Sequence, residues 1–223
     1  MLCKSNRDLR PIAVGCTYLR LVAKVCLRHF IPRLGKLLLP SQVGVGTPWG
    51  VKLQSTPPAT SWTNHTTNGQ TPQLNAFNSI RRDTVLQEAQ KYLPEIYPFI
   101  WDCYSSKTFL FHGNFSLDSA TGVQQGDPLG PALFALAIHE VTSKIKADLN
   151  IWYLDNGCIG RDPQTVLTNA TMIRDILSSI GLEIKNSKCE LLLINHTDIN
   201  KPQRSKLFQR PIPLYLTPFI GSY

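Results

Sequence analysis

"NIWYLDNGCIGRD" (Asn150–Asp162) decides how this chain is read. Ile151 and Trp152 lead into it, Cys158 and Ile159 lead out, and Asp155-Asn156-Gly157 lies between. Asn-Gly between two apolar runs is a strong short-range signal for a hairpin. The expectation is strand, Asp-Asn-Gly turn, strand. Its tip then carries one carboxylate followed by one amide. A carboxylate on a tight hairpin is placed to hold a metal. A second acid beside it would serve that task better than the neutral carbonyl of Asn156.

Outward from the hairpin the periodicity alternates between helix and strand. "PALFALAIHEVTSKIKADL" (Pro131–Leu149) reads as a helix, with Pro131 suited to its first position. "PQTVLTNATMIRDILSSIG" (Pro163–Gly181) reads as another, with Gly181 as its C-cap. "LEIKNSKCELLLINH" (Leu182–His196) ends in an apolar strand. Upstream, "TFLFHGNFSLDSATGVQQG" (Thr108–Gly126) is a second hairpin turning near Gly113-Asn114. In "SIRRDTVLQEAQKYL" (Ser79–Leu93), Val85, Leu86, Ala89 and Leu93 share one helical face. "TYLRLVAKVCLRHFIPRL" (Thr17–Leu34) is an amphipathic helix, preceded by a short strand at Arg10–Val14. Pro40–Gly50 is a Gly/Pro loop. "STPPATSWTNHTTNGQTPQLN" (Ser55–Asn75) is polar and aperiodic, so irregular or disordered chain is expected there. The order predicts an α+β domain, with an antiparallel sheet covered on one face by helices.

The 223 residues suffice for one sizeable domain or two small ones, and 43% are hydrophobic, enough for a core. The net charge of +8 points to an anionic partner, nucleic acid first. From Leu9 to Arg82 there is no Asp or Glu but nine Lys or Arg. Such a one-signed segment suits phosphates, or is a solvated basic face. Six cysteines without a CxxC or paired His spacing argue against zinc and against a disulfide scaffold. Reduced thiols fit an intracellular protein, nucleus and cytoplasm not being distinguished. No run reaches transmembrane length, so no membrane is expected as a partner. Four Asn-x-Ser/Thr sequons (Asn64, Asn114, Asn169, Asn195) read as chance matches, since no secretory signal accompanies them.

Three stretches, "GVQQGDPLGPALFAL" (Gly122–Leu136), "WYLDNG" (Trp152–Gly157) and "GLEIKNSKCE" (Gly181–Glu190), together resemble a reverse transcriptase palm. More narrowly they resemble the enzyme of a non-LTR (LINE-type) retrotransposon. "LRPIAVGCTYLRLVAKV", "PSQVGVGTPWGV" and "NAFNSIRRD" extend the likeness into the fingers and the first palm motif. The resemblance implies a fingers subdomain over 1–54, a palm over 75–200, no thumb, and divergent segments at 55–74 and 201–223. "PFIGSY" (Pro218–Tyr223) is a faint remnant of a primer-grip hairpin. It also implies an RNA-directed DNA polymerase acting on an RNA template, a DNA primer and deoxynucleoside triphosphates. Such enzymes use two Mg²⁺ ions (Mn²⁺ being the permissive substitute) held by three carboxylates.

Carried onto this sequence, the hairpin supplies Asp155 as the principal catalytic metal ligand, with Asn156 as a weak one. The position that should bear the first-motif Asp, five residues before Phe77, is Pro72, which has no ligand atom. One of three expected carboxylates remains. Phe77 sits where the family keeps a gate against the nucleotide 2′-hydroxyl, the alternative being an ordinary core Phe. Gln125, Gly126, Asp127 and Pro128 match the loop beside the incoming nucleotide and template, or are a plain turn before a helix. Arg10, and less strongly Arg20 and Lys4, match the fingers contact to triphosphate; each also reads as solvated charge. Lys188 matches a Lys near the leaving pyrophosphate that acts as general acid, with surface charge as the alternative.

The likeness breaks abruptly over residues 55–74 and resumes at Asn75, as a frame change or splice error would produce. With no thumb and no endonuclease domain, the chain reads as a fragment or decayed copy of a longer polyprotein. The sequence therefore predicts an impaired polymerase domain. The alternatives are a non-catalytic nucleic-acid-binding remnant or a translated pseudogene product.

Overall fold

The computed structural model describes residues 2–3, 9–10, 15–48, 60–64, 76–185, 189–194 and 214–217. Its elements in chain order are β1 (Leu2–Cys3), β2 (Leu9–Arg10), α1 (Thr17–Leu38), β3 (Thr60–Asn64), α2 (Ala76–Ser79) and α3 (Arg82–Tyr92). After a 3-10 turn at Pro94–Ile96 come α4 (Tyr97–Tyr104), β4 (Thr108–His112), β5 (Phe115–Ser119) and α5 (Gly130–Ser143). Then follow β6 (Leu149–Tyr153), β7 (Asn156–Gly160), α6 (Pro163–Ser179), β8 (Cys189–Ile194) and β9 (Leu214–Thr217).

α5 is the axis of the core. Ala132 through Ile138 are all buried, so the helix is apolar around its whole circumference and belongs inside rather than on a face. It packs against α3, α1 and α6. Val85, Leu86, Ala89 and Leu93 bury the expected face of α3. α5 stops at Ser143 rather than running to Leu149. Two amides past its end take carbonyls that helix would otherwise use: Asn150 donates to Thr142 O (2.7 Å) and Asn169 to Lys146 O (3.2 Å).

α6 begins on Asp162, whose carboxylate accepts from Thr165 N (3.0 Å) with Pro163 next in the first turn. It ends on Gly181 at φ +85°, with Leu182 N donating to Leu177 O (2.9 Å) and Gly181 N to Ser178 O (3.1 Å). That is the Schellman closure the glycine foretold. α4 has no counterpart in the periodicity reading, being too short and too aromatic to show one.

The main sheet has the order β6-β7-β3-β8-β9. Its β6–β7, β7–β3 and β3–β8 pairs are antiparallel, but β9 joins β8 in parallel. The antiparallel expectation is corrected at that edge: the chain between Ile194 and Leu214 is long enough for the crossover a parallel pair needs. Two further antiparallel pairs, β1–β2 and β4–β5, stand apart from it. Of the strand expected at Arg10–Val14, Leu9–Arg10 is strand, and residues 11–14 lie outside those described.

β3 is the larger correction. Ser55–Asn75 was expected to be irregular, yet Thr60–Asn64 is hydrogen-bonded on both edges, pairing Thr63 with Cys158 of β7 and Asn64 with Cys189 of β8. "TSWTN" has one large apolar side chain and no alternation to read. Its place comes from backbone pairing, which leaves no signature in side-chain pattern.

Candidate active site around the β6–β7 hairpin and the Gly122–Pro128 loop

The hairpin does not turn on Asn-Gly. Tyr153 pairs with Asn156 and Trp152 with Gly157, so the two turn residues are Leu154 and Asp155. Leu154 takes φ +55°, a left-handed conformation that costs a residue with a Cβ roughly 1–2 kcal/mol. Asn156 and Gly157 instead open β7. Gly157 is required there for another reason: a Cβ would lie 2.6 Å from the indole of Trp152, itself 2% exposed.

What holds the turn in this register is Gln42, fully buried in the loop after α1. Its side-chain oxygen accepts from Leu154 N (2.7 Å) and Gly44 N (3.0 Å), and its amide donates to Leu154 O (3.2 Å). Two backbone bonds flank it, Trp152 N to Ser41 O (2.6 Å) and Val43 N to Trp152 O (2.7 Å). Gly44 admits the approach, since a Cβ there would sit 2.9 Å from Leu154 N. Gln42→Leu leaves three backbone groups of half-buried residues without their partner, each costing up to about 1–3 kcal/mol before solvent and relaxation offset part of it. The variant is expected to lose about 2–3 kcal/mol in urea denaturation; a wild-type midpoint would show that the clamp carries no weight.

The second part of the site is the loop entering α5. Arg82 is buried and donates to Gly122 O (3.0 Å), Ser106 O (3.1 Å) and Ser119 Oγ (2.9 Å). Its guanidinium also lies over the ring of Tyr104, 5.4 Å from the centroid. Burial lowers the Arg82 pKa from its usual value, the Tyr104 oxygen acting against that. The Tyr104 hydroxyl donates to Asp127. Burial first, and the Asp127 carboxylate second, push that hydroxyl far above the ordinary tyrosine range. Asp127 also accepts from Leu129 N (3.0 Å), closing the turn before α5. Phe77 stacks face to face on Phe134 of α5, centroids 4.6 Å apart and planes 6° apart. Its carbonyl accepts from Val123 N (2.7 Å). Phe77 and the Gly122–Pro128 loop are therefore one packed unit.

The sequence profile of the reverse transcriptase (RNA-dependent DNA polymerase) family matches residues 3–207. The chain belongs to the reverse transcriptase family. No curated protein matches the chain significantly. The family acts on a nucleic-acid template with nucleotide substrates and uses divalent metal ions. Among the described residues, no helix is long and apolar enough to cross a membrane.

The described residues do not fit a two-metal centre of a reverse transcriptase. Hard divalent ions need converging carboxylates. The strand beside β7 is β3, and Thr60-Ser61-Trp62-Thr63-Asn64 contains none. Among the described residues, no three His, Cys, Asp or Glu side chains gather where a metal could be held. Asp155 and Asn156 are half-buried at the turn. Gln125 and Pro128 are half-buried and Gly126 is exposed at φ +108°. Asp127, assigned to nucleotide binding from the sequence, spends its carboxylate on Tyr104 and Leu129. Phe77, assigned as a gate, has one ring face against the core. Arg20 is half-buried on α1, and Arg10 lies on β2 opposite Leu2. Lys4, Lys188 and Pro72 lie outside the described residues.

The sequence reading missed Gln42, Arg82 and Tyr104. Gln42 stood in "PSQVGVG", already part of the family likeness, but its target is 112 residues away. Only an unusual buried polar group, seen once the chain is folded, marks it.

Proposed function

We propose that this chain is the fingers (1–54) and palm (75–200) of a non-LTR, LINE-type reverse transcriptase. Its metal centre is degenerate, so that it binds template and primer without effective nucleotidyl transfer. The observation that carries this reading is β3: the strand next to the Asp155 hairpin bears no carboxylate. No residue from Leu9 to Arg82 is an acid, so none of that segment supplies one. Asp155 and the weakly coordinating Asn156 are then the hairpin's half of a site whose other half is missing. Residues 55–74 and 201–223 are the divergent parts of the domain, and the location is intracellular.

Template and primer are held through phosphates by the acid-free basic segment, in which Arg20, Lys24 and Arg28 recur every fourth residue along α1. In this reading Arg10 is the contact to triphosphate, Lys188 the general acid near the leaving pyrophosphate, and Gln125 and Gly126 belong to the loop beside the incoming nucleotide and template. Fluorescence anisotropy with an RNA–DNA duplex over a salt series tests it. Affinity is expected to fall with a log–log slope of about −0.9 per phosphate neutralised. Absent binding, or binding indifferent to salt, refutes it.

A further inference from the structure

The β4–β5 hairpin carries large apolar side chains into solvent. Phe109 is 55% exposed, Phe111 80%, Phe115 74% and Leu117 59%. Among the described residues it pairs with no other strand, and an isolated two-stranded ribbon is marginal in water. Exposed apolar patches on folded proteins mark contact surfaces. The register sorts these side chains by face. Phe109 lies opposite Asp118 and Phe111 opposite Ser116, so both rings stand on one face, about 7 Å apart along the strand. Phe115 lies opposite His112 and Leu117 opposite Leu110, on the other face.

We propose that the Phe109–Phe111 face is a stacking platform for single-stranded nucleic acid. Three observations choose that occupant. The first is chemistry: two aromatic rings at alternate positions on an open sheet face offer one ring per base, and every base has a π-face. The second is charge. The chain's +8 calls for a polyanion, and the acid on this face, Asp118, is matched by Lys107 Nζ at 3.2 Å. That ammonium also lies over the Phe109 ring, 5.5 Å from its centroid, where it meets the phosphates of a strand stacked on the outer ring faces. The third is continuity with the candidate site. Gln124, beside Gln125–Pro128, donates to Thr108 Oγ1 at the base of β4 (3.2 Å). Arg82 donates to Ser119 Oγ at the base of β5 (2.9 Å). A strand leaving the Gly122–Pro128 loop meets this hairpin next.

The proposal rests on the template-binding reading and adds to it where the unpaired strand goes. The test is anisotropy of a fluorescein-labelled single-stranded RNA oligonucleotide with the full chain and with Phe109→Ala, Phe111→Ala and the double variant. Both rings are exposed, so the fold survives their removal. Each loss is expected to weaken binding about tenfold, with the salt slope unchanged because no phosphate contact is lost. Phe115→Ala, on the opposite face, is expected to leave the affinity unchanged. If the wild type binds and the double variant binds equally well, the platform is overturned while template binding stands. If the wild type binds no nucleic acid, both fall. If the wild type is a dimer that the double variant dissolves without change in RNA affinity, the face is a contact between copies and the proposal is overturned.

Discussion

Given an RNA template, a DNA primer, deoxynucleoside triphosphates and Mg²⁺ or Mn²⁺, the protein is expected to extend the primer no faster than a protein-free control. Nucleotidyl transfer develops charge on the attacking and leaving oxygens, and the two ions exist to neutralise it. Each ion needs carboxylates fixed before the reaction begins. Here the hairpin brings Asp155 to a well-clamped turn, but the next residue is an amide and the neighbouring β3 has no acid. Loss of one such preorganised charge costs on the order of 10³-fold in rate, and neither Asn156 nor any residue of β3 supplies one. In the proposed reading binding rests on the basic segment, so it is expected to persist where extension does not. Robust extension that disappears in Asp155→Ala overturns this reading, because it would require a metal centre assembled around Asp155 by residues other than those described.

The largest expected effect on stability is that of Gly122→Ala. Gly122 sits at φ +70°, where a Cβ is strained, and that Cβ would collide with the carbonyl of Phe77 and the backbone of Asn78. No flexible side-chain tip is there to swing away. The same residue donates to Ile80 O (2.8 Å) and accepts from Arg82 (3.0 Å). Moving it apart from Phe77 therefore breaks the hold of α2 and α3 on the loop. The mechanism combines backbone strain with lost buried hydrogen bonds, and about 3 kcal/mol is expected. For a domain of this size that lowers the thermal midpoint by about 10 °C, read by circular dichroism. An unchanged midpoint would mean the loop is not held against α2 as described.

The contrast between Gly122 and Gly157 shows what kind of information a sequence carries. Both glycines flank family motifs. Gly157 looked like a turn residue because Asn-Gly is the usual hairpin tip. In the folded chain it lies in β7, clearing space for Trp152, while Leu154 makes the left-handed turn. The local preference lost because Gln42 satisfies both backbone groups of Leu154. Those three part-buried hydrogen bonds to the buried Gln42 outweigh a conformational penalty of roughly 1–2 kcal/mol.

Elsewhere local chemistry was decisive. Helices α1 and α3 follow from apolar spacing of three and four, and α5 from a continuous apolar run begun at proline. The cap at Asp162 and the closure at Gly181 follow from residue type, and the β4–β5 turn at Gly113-Asn114 follows from its glycine. Each of these depends on neighbours a few residues away, which sequence displays directly. The basic, acid-free segment Leu9–Arg82 and the absence of an Asp at Pro72 were equally plain. What tertiary structure alone decided were the contacts across long separations: β3 set between β7 and β8, Gln42 on the Asp155 turn, and Arg82 and Tyr104 on the Asp127 loop. Those are backbone pairings and buried polar contacts whose partners become neighbours only after the core around α5 has formed.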